Sequence, residues 1–515
     1  MNFFSNNDFY FFIPELYIFF SFCILIFFFS IIKINNLLNF YITTRFNIFT
    51  IFFLFNVLLL YIWDMDAIKN NIYIFNFFFK KNLISNFASI FIIILTLVFI
   101  TFILFYNKIT ALINFVYEYI IIALFAVFGF LLLIISNDLL VFYICFEIAS
   151  LSLYVLISFN VQSSFSINSG IKYYILGAIS SALMLLGISF FYGLTGLTNF
   201  NDIKTLLFFT DYNDIHNVLI IISIIFILLS LLFKIGIFPF HFWIADIYSG
   251  ISYKTIFFLF LIPKASFIFI LINFYYNVFA NAIITINSLF IFLAVLSILV
   301  ATFCALMQKT IKKLLAFSSI VNVGYLLLLI TTFSAYSIIY IISYLIVYFL
   351  NLITFFIFLL TLKKIVGYYE INITYISQLS NLFKINPLIS ISLAISIFSI
   401  AGLPPFGGFY TKYFILIDLI NNKYYTVVII LLLLSIVSTF YYIRIIKILF
   451  FNKNLNNNLN YYLNYNNNTI IMNKKNVNTI YCILIIGFSL IIVNIFLCFY
   501  PSILYNIIIN ILLYS

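Results

Sequence analysis

The sequence predicts an all-α protein that crosses a membrane about fourteen times. Of its 515 residues, 66% are hydrophobic and only 7% are charged, and the mean hydropathy is +1.25. A soluble domain carries about 25% charged residues, and a spanning helix needs about 20 apolar residues. Apolar runs of that length fill nearly the whole chain, with centres near residues 22, 56, 97, 124, 149, 183, 230, 265, 294, 323, 349, 400, 436 and 489.

The first apolar run begins at Phe9, with no basic region before it and no small-residue cleavage site after it. We therefore expect a retained helix and not a signal peptide. The asparagine-rich stretch 452–478 predicts a solvated loop. The five cysteines and two histidines show no metal-ligand spacing, and the sequence contains no glycine-rich phosphate loop. Neither a metal site nor a nucleotide site is expected.

Basic residues are distributed unevenly between the two sides of the membrane. Of the 24 lysines and arginines, sixteen fall in loops after odd-numbered predicted helices and three fall inside predicted helices. The other five fall in loops after even-numbered helices: Lys69, Lys80, Lys81, Lys204 and Lys423. Loops rich in lysine and arginine face the cytoplasm or the mitochondrial matrix. Both chain termini are therefore predicted on the opposite side.

Four ionisable residues interrupt predicted helices: Glu147, Lys234, Lys264 and Lys412. Each costs at least about 2.5–3.5 kcal/mol to insert, so such groups are usually paired or functional. Lys264 lies too deep to extend its amine to the membrane surface easily, whereas Lys412 could do so, and Asp138 is expected at the interface with a structural role. Apolar surroundings disfavour a charged amine and a nearby carboxylate favours it. If the carboxylate changes its position, a buried lysine beside it binds or releases a proton. One carboxylate among several buried lysines therefore predicts a proton relay.

Two similar breaks interrupt the apolar runs, in FKIGIFPFHFW (233–243) and SIAGLPPFGGFYTK (399–412). Proline removes a helix hydrogen bond in each break, close to Lys234 in the first and before Lys412 in the second. Non-helical backbone inside a membrane persists only where protein or water satisfies its polar groups. The breaks therefore predict a polar path beside the lysines. One such break would be explained by a simple kink, but two matching breaks are explained less well in that way.

The second break lies five predicted helices after the first, and an odd step reverses the direction through the membrane. This pattern predicts two inverted repeats with discontinuous helices. We place helices 1–3 at residues 1–107, the first repeat with helices 4–8 at 108–276, and the second with helices 9–13 at 277–450. Residues 451–515 hold the asparagine-rich loop and helix 14. The first repeat carries Glu147, whereas the second is predicted to hold no buried carboxylate.

Several motifs resemble the antiporter-like membrane subunits of respiratory complex I, NADH:ubiquinone oxidoreductase. They are FKIGIFPFHFWIADIYSG, IPKASF, QKTIKKLLAFSSIVNVGYLLL and AGLPPFGGFYTKY, and the resemblance runs in order over about residues 130–420. The stretch IKYYILGAISSALMLLGISFFYGLTG (171–196) is similar to the subunit 2 type, called N in bacteria. Tyr248, Lys412 and Tyr413 also fit that type, whereas Ala245 replaces a proline that is common in the family.

The resemblance implies two inverted five-helix bundles in which helices 7 and 12 are broken. It also implies roles for the matching residues. Glu147 would modulate Lys234, Lys264 would be the central relay, and Lys412 would face the exit side. Two further residues receive weaker assignments. Lys172 matches a basic position that can share Glu147, and His241 would either line the path or cap the broken helix.

The function implied is proton translocation by a subunit without a redox centre. NADH, FMN, iron–sulfur clusters and ubiquinone would belong to other subunits of the complex. Partners would be other membrane-arm subunits, including paralogous antiporter-like ones, and membrane lipids, but no nucleic acid. Two alternatives stay open: a subunit of a sodium/proton antiporter complex, and a scaffold whose buried charges serve packing.

The composition also suggests a location. An excess of Phe, Ile, Asn, Tyr and Lys is typical of AT-rich coding. Together with the lack of a targeting segment, it favours a protein encoded within a mitochondrion and located in its inner membrane. A bacterial plasma membrane is the alternative.

Overall fold

The computed structural model describes residues 6–34, 40–67, 71–110, 116–161, 163–209, 215–334, 336–365, 374–380, 382–451 and 474–513. The predicted asparagine-rich loop falls mostly outside these residues. Two short strands, β1 (Ile72–Ile74) and β2 (Phe79–Lys81), form an antiparallel hairpin. A π-helical turn covers Phe274–Val278 and a 3-10 turn covers Ile376–Leu379. The α-helices are α1 (Asn6–Phe11), α2 (Ile13–Ile34), α3 (Phe40–Ala67), α4 (Leu83–Thr110), α5 (Val116–Ile135), α6 (Leu139–Ser158), α7 (Ser164–Thr195), α8 (Phe200–Phe209), α9 (Ile215–Ile235), α10 (Phe242–Gly250), α11 (Tyr253–Asn273), α12 (Ala280–Leu306), α13 (Ile311–Thr332), α14 (Ser337–Ile365), α15 (Leu382–Ile385), α16 (Pro387–Ala401), α17 (Gly407–Asn421), α18 (Tyr425–Phe450), α19 (Lys474–Phe499) and α20 (Pro501–Leu513).

The predicted all-α membrane fold is confirmed. Within the described ranges, thirteen helices are long and apolar enough to cross a membrane. The remaining predicted helix, centred near residue 400, is divided into α16 and α17, each of 15 residues. Every other predicted centre falls inside a helix, because long apolar runs must satisfy their backbone hydrogen bonds internally in lipid.

The centre of the bundle is formed by α11 and α13. Nearly every residue of these two helices is buried. Helices such as α7, α12 and α18 instead bury one face and expose large apolar side chains on the other. A helix that is apolar on all sides packs inside a bundle, whereas one with a single packed face borders the lipid. Lys264 therefore lies in one of the two innermost helices.

The hairpin brings a charged side chain into the N-terminal bundle. In β2 the neighbouring side chains of Lys80 and Lys81 point to opposite faces, as in any strand. Lys81 is fully buried, with Nζ 2.9 Å from the Glu15 carboxylate and 3.3 Å from that of Asp64. The Tyr61 hydroxyl donates to Glu15 at 2.9 Å.

The sequence analysis placed Lys81 in the loop after the second predicted helix, and β2 does lie in that connection, between α3 and α4. The sequence did not reveal that this lysine is buried. Strand alternation turns this lysine inward, towards two carboxylates that attract it. Lys80, its neighbour, points to the opposite face of the strand and is half-buried.

Candidate functional site: two helix breaks and the charges beside them

The first break begins where α9 ends at Ile235. The N–H groups of Gly236 and Ile237 both donate to the carbonyl of Leu232, at 2.8 and 3.1 Å, and Gly236 has a φ of +83°. Many helices end in this way, with two N–H groups that donate to one carbonyl around a glycine of positive φ. Phe240 N–H then donates to the Ile237 carbonyl at 2.7 Å, and α10 begins at Phe242.

The second break repeats this backbone step by step. Gly402 and Leu403 both donate to the carbonyl of Phe398, at 3.1 Å each, and Gly402 has a φ of +80°. Phe406 N–H donates to the Leu403 carbonyl at 3.2 Å, and α17 begins at Gly407. The predicted similarity of the two breaks thus extends to their hydrogen bonds. The larger prediction of two inverted repeats, with its domain boundaries, stays a prediction.

Lys412 lies across the second break. A Cβ on Gly402 would stand 2.6 Å from Lys412 Cδ, so a side chain there would displace this lysine as well as strain the left-handed backbone. Its Nζ donates to the Ala401 carbonyl at 2.6 Å and lies 5.6 Å from the centre of the Tyr325 ring. Carbonyls at a helix C-terminus lack partners and carry partial negative charge. The broken end of α16 therefore provides a polar partner for the Lys412 amine.

Lys234 occupies the last turn of α9, before the first break. It is buried, and its Nζ donates to the Tyr154 hydroxyl at 2.9 Å. The same amine lies 4.8 Å from the centre of the Phe146 ring and 5.8 Å from that of Tyr173. Aromatic rings attract a cation through their faces. Lys234 is thus held in a cage of rings with a single hydroxyl partner.

Glu147 is connected to that cage through α6. One carboxylate oxygen of Glu147 accepts from the Ser150 hydroxyl at 3.1 Å, and Ser150 in turn interacts with Tyr154. No nitrogen–oxygen distance of 4.0 Å or less joins Glu147 to Lys234, although the carboxylate's charge acts on the lysine. The second Glu147 oxygen is buried without a partner in the described structure. The pair is close enough to couple electrostatically but is not locked together.

Lys264 has the least compensated environment of these lysines. It is 4% exposed, and its Nζ has no hydrogen-bond partner among the described residues. Its amine lies 4.9 Å from the centre of the Phe260 ring. An unpaired buried charge costs several kcal/mol. A proton on Lys264 therefore requires a partner that arrives with it, such as water.

Of the two residues with weaker assignments, one is exposed and the other is buried at a break. Lys172 is exposed on the outer face of α7 and has no contact with Glu147 within ion-pair distance in the described chain. His241 is buried at the first break, with ring centres 5.7 Å from Phe238 and 4.0 Å from Phe242. Although His241 precedes α10, its side chain makes no capping hydrogen bond, and its Nδ1 has no partner in the described structure. Both alternatives for His241, lining the path and capping the broken helix, stay predictions.

Asp418 in α17 is a buried carboxylate in the second predicted repeat, so the prediction that this repeat holds none is wrong. Its side chain is buried and accepts from Thr332 Oγ1 at 2.5 Å and from Ser334 Oγ at 2.7 Å. These hydroxyls, at the end of α13, replace the water that the carboxylate would otherwise need. The signal was present, because Asp418 interrupts the apolar run FILIDLI six residues after Lys412.

Asn494 is a second residue that the sequence did not reveal. It lies in α19, outside both predicted repeats, yet its side-chain oxygen accepts from Gly407 N–H at 3.0 Å and from Ser399 Oγ at 3.1 Å. Its amide nitrogen donates to Asn351 in α14. Asn494 therefore provides the acceptor for the first N–H group of α17 at the second break.

We expect the substitution Asn494→Leu to leave Gly407 N–H and Asn351 without partners inside the bundle. Losing partners for buried polar groups costs about 1–3 kcal/mol, so the thermal unfolding midpoint of the purified chain should fall. Ser489→Leu, at an exposed position of the same helix, is the control and should change the midpoint little. Equal midpoints for the two variants would remove the structural role given to Asn494.

A row of buried tyrosines connects the surroundings of the two breaks. Within this row Tyr344 donates to Asn322 at 2.8 Å, and no hydrogen bond joins two of the tyrosines directly among the described residues. The row begins beside Lys234 and ends at the ring that faces Lys412: Tyr173, Tyr248, Tyr348, Tyr344, Tyr442 and Tyr325. Hydroxyl groups donate and accept, so such a row can pass protons when water completes it.

Among the described residues, no group of three or more His, Cys, Asp or Glu side chains could hold a metal ion. The ionisable and polar groups beside the two breaks are lysines, a carboxylate and hydroxyls. Two discontinuous helices with ionisable side chains beside the breaks define an ion-translocating membrane protein.

Comparison with known proteins identifies the family. Residues 136–438 match the membrane family of NADH:quinone oxidoreductase and the Mrp antiporter. The chain belongs to this family, and the resemblance predicted from its motifs is confirmed.

Individual relatives agree with this assignment. NADH-quinone oxidoreductase subunit N of Pelagibacter ubique (strain HTCC1062) is 38% identical over 339 residues, which cover 66% of this chain and 70% of the relative. NADH-ubiquinone oxidoreductase chain 2 of Rhizopus oryzae is 36% identical over 340 residues, covering 65% and 64%. A chain in the structure of respiratory complex I from Thermus thermophilus with bound aureothin shares the fold, with a TM-score of 0.73 and 21% identity over 96% of this chain and 98% of that chain.

Proposed function

We propose that this chain is a proton-translocating membrane subunit of NADH:ubiquinone oxidoreductase, of the type called chain 2 or N, and that its buried lysines carry the protons. The observation that supports this most is the repeated placement of a lysine at a helix break. Lys234 lies in the last turn before the first break, and Lys412 donates to the last residue before the second. Lys264, without a hydrogen-bond partner in the described chain, lies in one of the two innermost helices.

The proposed transfer begins at Glu147 and Lys234. When Glu147 is charged and near, Lys234 binds a proton, and the ring cage and Tyr154 stabilise the cation. When the carboxylate loses its charge or turns away, the buried ammonium is no longer compensated and releases its proton. The unpartnered Glu147 oxygen and the absence of a direct ion pair between the two residues favour such an exchange of partners.

The proton then passes to Lys264 and along the tyrosine row to Lys412. Lys264 would hold a proton only while water accompanies it, which makes it a relay and not a resting site. At Lys412 the carbonyl end of α16 holds the ammonium until release on the exit side. Asp418 lies six residues further along α17 and is held by two hydroxyls, so we assign it a structural role in positioning that helix.

The chain functions within an assembly. Its partners are the other membrane-arm subunits of the complex, including paralogous antiporter-like subunits. We assign NADH, FMN, the iron–sulfur clusters and ubiquinone to other subunits. The energy of oxidation would then reach Glu147 as a change in the charges around it.

The chain is a multi-pass membrane protein of a respiratory complex. We propose the mitochondrial inner membrane as its location, with the lysine-rich loops in the matrix and both termini on the intermembrane-space side. The AT-rich type of composition and the fungal chain 2 relative support this location. The bacterial subunit N relative supports the alternative, a bacterial plasma membrane.

Sodium dependence separates proton translocation from the sodium/proton antiporter alternative, since the family includes both kinds of complex. Sealed vesicles that contain the assembled complex are supplied with NADH, and proton movement is followed with a pH-sensitive dye. We expect the same rate of proton movement in potassium and in sodium buffer, and no NADH-driven movement of ²²Na⁺. Proton movement that stops without sodium would favour the antiporter.

A further inference from the structure

A cavity of about 190 Å³ opens at the membrane-surface end of the bundle, away from both helix breaks. It lies where α4 begins, α5 ends, α8 begins and α11 ends, beside the β1–β2 hairpin. The predicted orientation places this end on the side of the chain termini. Its polar lining consists mainly of two lysines and several amides: Lys80, Lys204, Asn71, Asn82, Asn201 and Asn277.

The lining is positively charged. No Asp or Glu occurs among the described residues that line the cavity, and Lys80 and Lys204 make no ion pair within 4.0 Å in this part of the chain. Asparagine side chains add N–H donors, and Tyr73 holds Asn201 through a hydrogen bond of 3.4 Å. A cavity with two cations, amide donors and no carboxylate is suited to an anion with several oxygens.

The backbone explains why two positive charges meet here. Alternation in β2 sends Lys81 inward to its carboxylates and Lys80 to the opposite face, where the cavity opens. Burial, and next the charge of nearby Lys204, lower the pKa of Lys80. The two lysines repel one another across the cavity, and an anion between them would offset that repulsion.

The surroundings of the cavity are apolar and exposed. Phe77 and Phe78 at the hairpin tip are 53% and 47% exposed, and Phe208 and Phe209 of α8 are 71% and 82% exposed. Exposed phenylalanines at a membrane surface bury into the boundary between lipid headgroups and acyl chains. Lys204 belongs to the same short helix as the second pair.

We propose that this cavity binds a phosphate group between Lys80 and Lys204. The exposed phenylalanines on both sides favour a phosphate presented by an anionic phospholipid headgroup, with the acyl chains along the apolar surface. A soluble phosphate would use the same two lysines and amides. This proposal does not depend on the proton path, because none of the residues assigned to that path lines the cavity.

The test compares ligands on the purified full-length chain in a neutral detergent after its lipids have been removed. Phosphatidylglycerol, phosphatidylcholine and inorganic phosphate are added separately, and bound ligand is counted by native mass spectrometry. We expect one phosphatidylglycerol to be retained and no phosphatidylcholine. In the double variant Lys80→Gln/Lys204→Gln, the affinity should fall at least tenfold, which corresponds to about 1.4 kcal/mol.

Lys423→Gln is the matched control, because Lys423 is an exposed lysine of another loop predicted on the same side. Its affinity for phosphatidylglycerol should equal that of the wild type. The single variants Lys80→Gln and Lys204→Gln replace the double variant if the latter does not fold, as judged by its unfolding midpoint without ligand. Retention of inorganic phosphate alone, lost in these variants, would support the site and identify a soluble ligand. Equal retention of phosphatidylglycerol by the variants and the wild type would overturn the proposal.

Discussion

Replacing Lys264 with methionine is expected to reduce NADH-driven proton pumping by about tenfold or more, equivalent to at least 1.4 kcal/mol in the limiting barrier. Methionine has a similar length but cannot bind a proton. The Lys264 amine has no hydrogen-bond partner in the described structure, so the substitution breaks no contact of that kind. Replacing a buried charge with an apolar side chain of similar size is often neutral or stabilising. Pumping should therefore fall while the complex assembles normally.

The measurement is proton movement per NADH oxidised, in sealed vesicles that contain the assembled complex. Lys264→Arg keeps a positive charge but cannot release its proton, so it should also impair pumping. Lys423→Met, in an exposed loop, is the control for loss of a lysine. Unchanged turnover and proton yield in Lys264→Met would exclude Lys264 from the relay. Poor assembly with normal pumping by the assembled fraction would favour the scaffold alternative.

Replacing Lys81 with methionine is expected to cause a large loss of stability, in contrast to Lys264→Met. Lys81 is fully buried between Glu15 and Asp64, and its amine also donates to the Phe11 carbonyl at 2.6 Å. Removing one partner from a buried ion pair costs roughly 3–5 kcal/mol, because the remaining charge stays buried without compensation. The thermal unfolding midpoint of the purified chain should drop clearly.

Lys80→Met provides the control for this prediction, since the neighbouring side chain points to the opposite face of the same strand. Its unfolding midpoint, measured without phosphate or anionic lipid, should stay close to that of the wild type. The triple variant Lys81→Met, Glu15→Gln and Asp64→Asn should recover part of the loss, because it removes the uncompensated charges. No recovery would mean that Lys81 stabilises the bundle through packing and not through its charge.

Lys81 and Lys264 are both buried, but their surroundings give them different roles. Lys81 has two carboxylates and a carbonyl, so its proton is held and its role is structural. Lys264 has an aromatic ring and no hydrogen-bond partner among the described residues, so nothing holds its proton in place. Holding a proton firmly and passing it on require opposite environments. This contrast supports the assignment of Lys264, and not Lys81, to the proposed relay.

Several features followed from the sequence alone. Apolar run length located the long helices, since each crossing needs about 20 apolar residues. Glycine and proline at fixed spacing located both breaks, because these residues change the backbone wherever they occur. The buried lysines and Glu147 were recognisable because charge is rare inside apolar runs. These are local properties, which depend on a residue and its neighbours in the chain.

Other features depended on contacts between distant segments. Lys81 differs from Lys80 only by the face of a strand and by the two carboxylates brought opposite it from α2 and α3. Asp418 is buried because hydroxyls at the end of α13 reach it, and Asn494 completes a helix break 87 residues away in the chain. Lys172, which the family resemblance associates with Glu147, is exposed in the structure. Burial and partnership of a polar group are set by what packs against it, so only the tertiary structure decides which charges are held, which are exposed and which are free to exchange a proton.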